Sequence, residues 1–74
     1  MPSVLHLVDG ATTSLALDMI RQQAAAGDRI TVVLLEDAQV GSLPNAIRVH
    51  RLPGDVTYAD LLDLIFEADQ VIAW

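Results

Sequence analysis

Cysteine and lysine are both absent from the 74 residues. Without a thiol there is no disulfide, no thiolate metal ligand and no side chain able to carry a persulfide. A domain this short buries only about 60–65% of the surface its unfolded chain exposes. Its own core gives marginal stability, and with disulfides excluded the expected reinforcement is association with copies or partners. Aromatic residues are scarce, with one Phe, one Tyr and one Trp. The core must therefore be aliphatic, which suits a buried parallel sheet. Four arginines face ten carboxylates for a net charge of -6, so a phosphate backbone would be repelled and direct nucleic-acid binding is not expected. No apolar run approaches the roughly 18–20 residues that span a bilayer. "MPSVLHLVDG" carries no basic stretch before its apolar residues, so a soluble, cytoplasmic protein is expected.

What remains reads as alternating strands and helices. Val4 to Val8 is a short apolar run that Asp9-Gly10 should stop as a turn. In "ATTSLALDMIRQQAAAG" one of Thr12, Thr13 or Ser14 caps a helix that Gly27 ends. One stripe of it holds Leu15, Met19 and Gln22 or Gln23, the neighbouring one Ala16 and Ile20. Arg29 to Asp37 has an unbroken apolar centre, the mark of a strand covered on both faces and central or nearly so. Gly41, Pro44 and Asn45 make the next stretch irregular. In "IRVHRL" the residues alternate with a period of two, as in a partly exposed strand nearer an edge. Thr57 with Asp60 three residues on forms a capping box for a final helix. Tyr58, Leu61, Leu62, Ile65 and Phe66 are expected to give its core stripe. "DQVIAW" is a fourth strand. No two-residue hairpin turn joins any pair, so β-α-β-β-α-β with a mostly parallel four-stranded sheet, in two or three layers, is the simplest architecture. It forms one domain over residues 1–74.

In such sheets ligands bind at the carboxyl ends of the strands. That places a candidate mouth at Asp9, Gly10, Glu36 and Asp37, with Pro53-Gly54-Asp55 and Trp74 at the same edge. Crowded carboxylates can act as acid and base, but acidic residues after strands commonly cap the next element and keep a small domain soluble. "VDGATTS" lacks the glycine pattern of a nucleotide site. His6 and His50 are the only imidazoles. Without cysteine they make a poor metal site, and a strand histidine satisfied by hydrogen bonds fits better. No metal and no cofactor are expected. Arg48 and Arg51 bracket His50 on a strand, where solvated charge competes with an ion-paired contact to an acidic partner.

"VTYADLLDLIFEADQVIAW", Val56 to Trp74, resembles the corresponding stretch of the DsrH/TusB family, small subunits of the DsrE/DsrF/DsrH sulfur-relay superfamily. "LHLVDG" stands where that family has its first strand, and "GDRITVVLLED", Gly27 to Asp37, is similar to its glycine-aspartate, apolar strand and acidic pair. The resemblance implies a compact parallel α/β fold assembled as dimers or multi-subunit rings. Members that carry the persulfide cysteine have it on the first helix, where this chain offers Ile20 or its neighbours. The loop before the last helix, "LPGDVTYAD", is also shorter than the family's.

The resemblance therefore implies a non-catalytic subunit of a DsrEFH- or TusBCD-like relay, supporting tRNA 2-thiolation or sulfur oxidation beside cysteine-bearing partners. Arg48, His50, Arg51, Tyr58 and Trp74 are its expected contacts. For Trp74 the alternative is to cover the end of its own sheet. A reading from a different class is a self-associating domain that binds a small molecule at the mouth near Asp9, Gly10 and Asp37. An enzyme using those carboxylates ranks last.

Overall fold

A computed structural model describes residues 2–11, 14–39, 47–52 and 54–74. The elements are β1 (Ser3–Ala11), α1 (Ser14–Ala25), β2 (Arg29–Gln39), β3 (Arg48–Leu52), α2 (Tyr58–Glu67) and β4 (Gln70–Ala73). The four strands form one sheet in the order β3-β2-β1-β4, every pairing parallel. The β-α-β-β-α-β architecture is thus the one the sequence implies. The apolar strand β2 lies inside and the charged β3 lies at an edge. Parallel neighbours cannot be joined by tight turns. The chain therefore spends one helix on the step from β1 to β2, and the other on the long crossing from β3 to the far edge.

The two helices cover opposite faces, giving three layers. Val4, Val8, Ile20, Ile30, Val32, Leu34, Ala38 and Ile47 form the core on the α1 face. Leu5, Val33 and Leu52 form it on the other, against Leu61, Leu64 and Ile65 of α2. Alternation along β1 explains the split, since successive side chains point to opposite faces. Ala16 and Ile20 are the buried stripe of α1, whereas Leu15 and Met19, one position round the helix, are exposed.

Two helix ends are closed by recognisable local motifs. Gly27, at φ 92°, ends α1 in a Schellman arrangement: the Asp28 N–H donates to the Gln23 carbonyl at 3.1 Å and the Gly27 N–H to Ala24 at 3.1 Å. Thr57 begins α2 with the complete capping box, the Asp60 N–H donating to Thr57 Oγ1 at 3.2 Å and the Thr57 N–H to Asp60 Oδ2 at 3.0 Å. The bond from the Thr57 N–H favours the ionised form and holds the Asp60 carboxyl below its ordinary pKa. The capping candidates Thr12 and Thr13 lie outside the described residues, and Ser14 is the first residue of α1.

Asp9-Gly10 does not stop the first strand. β1 runs on to Ala11, and its pairing with β2 shifts register between Asp9, opposite Leu35, and Ala11, opposite Gln39. Gly10, at φ 78°, supplies the left-handed conformation that such an irregularity needs.

Candidate functional site

His6 is fully buried on the α1 face of β1, at 0% exposure, with both ring nitrogens engaged. The Trp74 indole N–H donates to Nδ1 at 2.9 Å, and Nε2 lies 2.6 Å from Gln23 Oε1. An indole nitrogen only donates, so Nδ1 is the acceptor and the ring proton sits on Nε2, where it is donated to Gln23. The ring is neutral, with one tautomer fixed by its neighbours. The His6 and Trp74 planes lie within 12° of parallel, centroids 6.1 Å apart. Burial, which disfavours the charged form, lowers the His6 pKa against the opposing effect of the Gln23 bond. Trp74 itself packs on the α1-face core beside Ile72, and its backbone N–H continues the ladder to the Leu7 carbonyl at 2.9 Å. Trp74 covers its own sheet.

The two histidines do not meet. His50 is half-buried on β3 opposite Val33, whose side chain belongs to the α2 face, and β2 separates it from β1. Among the described residues no three His, Asp or Glu side chains gather as a metal-binding group.

At the carboxyl edge Asp9 and Gly10 are exposed. Glu36 and Asp37 lie within β2, with side chains outside the described set. Asp55 closes the turn after β3: its carboxylate accepts from the Arg51 N–H at 3.1 Å, and its own N–H donates to the Arg51 carbonyl at 3.0 Å. A carboxylate bound into its own turn is structural. Pro53 lies outside the described residues.

A pocket of about 160 Å³ lies at the opposite, amino edge, lined by Arg29, Thr31 and Arg48 of the sheet and by Leu64, Glu67 and Ala68. A cavity of this volume holds a benzene-sized molecule at most. Its lining holds two arginines, Arg29 and Arg48, one carboxylate, Glu67, and the carbonyl end of α2. Sequence pattern gave no signal for it, because it depends on where the end of α2 comes to rest over the strand starts.

The largest departure from expectation is on α2. Leu61, Leu64 and Ile65 are the half-buried residues that pack on the sheet, but Tyr58, Leu62 and Phe66 are 72%, 55% and 84% exposed. At about 100° per residue this i, i+4, i+8 row turns about 40° at each step, so it slants from the flank at Tyr58 toward the solvent side at Phe66. The apolar sector of α2 is wider than one sheet face can cover. The helix meets the sheet over β1, and one flank stays bare. Arg48 is exposed and Arg51 half-buried on the edge strand β3.

Fold and surface together define a small three-layer α/β domain with an all-parallel sheet, an internally satisfied buried histidine and an uncovered apolar helix flank. Comparison with protein-family models, with curated proteins and with solved structures returned no match. No helix of the described residues is long and apolar enough to cross a membrane.

Proposed function

We propose that this chain is a non-catalytic, cytoplasmic subunit of a multi-protein assembly, of the DsrEFH or TusBCD sulfur-relay kind that its sequence resembles. Its role is to dock and position partners that carry the reactive thiol. The observation that carries this reading is the bare stripe of Tyr58, Leu62 and Phe66. Large apolar side chains in a row on one helix are what an interaction surface presents, and aromatics concentrate interface energy. With no cysteine in the chain, sulfane sulfur must reside on a partner. Tyr58, expected from the resemblance to make contacts, belongs to this stripe. Trp74 is engaged within its own protomer, so the docking surface is α2, with Arg48, His50 and Arg51 on the far edge as the secondary candidates.

Co-expression with a DsrE/DsrF-like (TusD/TusC-like) pair tests it. The chain should co-elute with the pair on size exclusion, and Phe66→Glu should abolish co-elution while leaving the circular dichroism spectrum unchanged. A chain that elutes apart from such partners, or a complex indifferent to Phe66→Glu and Leu62→Glu, removes the reading.

A further inference from the structure

The docking stripe does not stand alone. Leu64, Glu67 and Ala68 face the amino-edge pocket, which opens over the starts of β1, β2 and β3. On a helix turning about 100° per residue, Leu62 lies on the opposite flank, toward β4. On that side β4 is an edge strand paired only with β1. Val71 and Ala73, opposite Leu5 and Leu7, lie on the α2 face of β4, and α2 does not reach them: Val71 is 40% exposed and Ala73 exposed. The bare flank of α2 and the bare edge of the sheet are therefore one continuous apolar surface.

The two edges of the sheet differ in kind. β3 carries Arg48 and Arg51, charged side chains of the kind with which natural sheets block edge pairing, whereas β4 reads Gln-Val-Ile-Ala with no charge, no proline and no bulge. The Trp74 N–H points to β1. By the alternation of a parallel ladder, the N–H groups of Val71 and Ala73 point to the open side.

We propose that two copies of this chain pair β4 to β4 about a two-fold axis perpendicular to the sheet, joining the sheets into one of eight strands. Antiparallel pairing across such an axis keeps both α2 helices on the same face. Because α2 sits over β1 and leaves β4 bare, side chains must fill the space above the join, and Tyr58 and Leu62 from each copy lie on the flank that faces it, with Phe66 above them. The surface is self-complementary, as an isologous contact requires. Tyr58 and Phe66 leave on the order of 300 Å² uncovered, more than a third of the roughly 800 Å² per partner of a standard interface. Leu62, Val71, Ala73 and the strand backbone add to that. The inference goes beyond the docking reading by giving the stripe to a second copy, so a dimer paired this way would not offer Tyr58, Leu62 and Phe66 to a cysteine-bearing partner.

Light scattering coupled to size exclusion should give twice the 8.0 kDa chain mass at micromolar to millimolar concentration. Association should tighten with salt, because both copies carry a net charge of -6. The amides of Val71 and Ala73 should gain hydrogen-exchange protection as concentration rises. Val71→Pro removes only an outward N–H, tolerated on the open side of an edge strand. It should leave a folded monomer whose self-association is weakened at least tenfold. If Val71→Pro does not fold, Phe66→Glu at its exposed position must give that result instead. A chain monomeric at millimolar concentration, or a dimer unchanged by these substitutions, overturns the inference. A lone monomer that still co-elutes with a DsrE-like pair overturns the two-fold dimer and leaves the docking reading standing. A β4-paired dimer that ignores such a pair does the reverse.

Discussion

Lowering the pH from 7.5 to 5.5 should destabilise this protein through His6. The imidazole is buried, neutral, and committed at both nitrogens: Nδ1 accepts from the Trp74 indole and Nε2 donates to Gln23. A second ring proton would have to sit on Nδ1, against the indole N–H. The folded state therefore resists protonation, and the His6 pKa lies below its ordinary value. In the unfolded chain the same histidine titrates near 6.5. The sign follows from linkage. Above about pH 6.5 both states hold the neutral ring and stability is at its full value. As pH falls below that, the unfolded chain takes up the proton first, and stability is lost until the depressed folded pKa is reached. If the folded ring stays neutral throughout, the loss at pH 5.5 is about 1.4 kcal/mol, or roughly 5–10 °C in Tm for a domain of this size. The assay is urea denaturation at the two pH values, in a His50→Gln background so that His6 is the only imidazole, against the same background carrying His6→Leu. The refuting result is equal pH dependence in the two proteins. A nitrogen-15 spectrum showing the proton on Nδ1 would refute the tautomer directly.

Three further outcomes are expected. Ile20→Ala empties a fully buried site under the sheet and should cost about 2–5 kcal/mol, enough to unfold a domain of marginal stability, as thermal melting followed by circular dichroism will show. Thr57→Ala removes the hydroxyl that accepts the Asp60 N–H and should lower stability by about 1 kcal/mol in urea. Gly27→Ala meets no atom within 4 Å but is held at φ 92°, so its destabilisation, about 1 kcal/mol, should come from backbone strain alone, and Gly27→Asn should recover part of it.

Much of the fold was legible locally. The apolar centre of "RITVVLLED" marked an inner strand, and Thr57 with Asp60 marked a helix start, because capping and burial on both faces leave signatures within a few residues. Asp9-Gly10 misled for a local reason as well: glycine with positive φ serves a register irregularity as readily as a turn. At the carboxyl edge Asp9 and Gly10 are exposed, whereas Asp55 is used by its own turn. A defined pocket lies at the other end of the strands, where no motif announced it.

The sequence by itself determined the order of elements, the aliphatic core and the absence of any thiol chemistry, for periodicity, capping and composition act over short separations. Tertiary structure decided the rest. Only folding brings Trp74 against His6, 68 positions away in the chain, and makes a lone strand histidine a neutral, fully bonded core residue. Only the placement of α2 over β1 decides that Leu61, Leu64 and Ile65 pack inward while Tyr58, Leu62 and Phe66 face outward. A helix whose apolar sector is wider than one sheet can cover leaves that choice to the sheet it lands on.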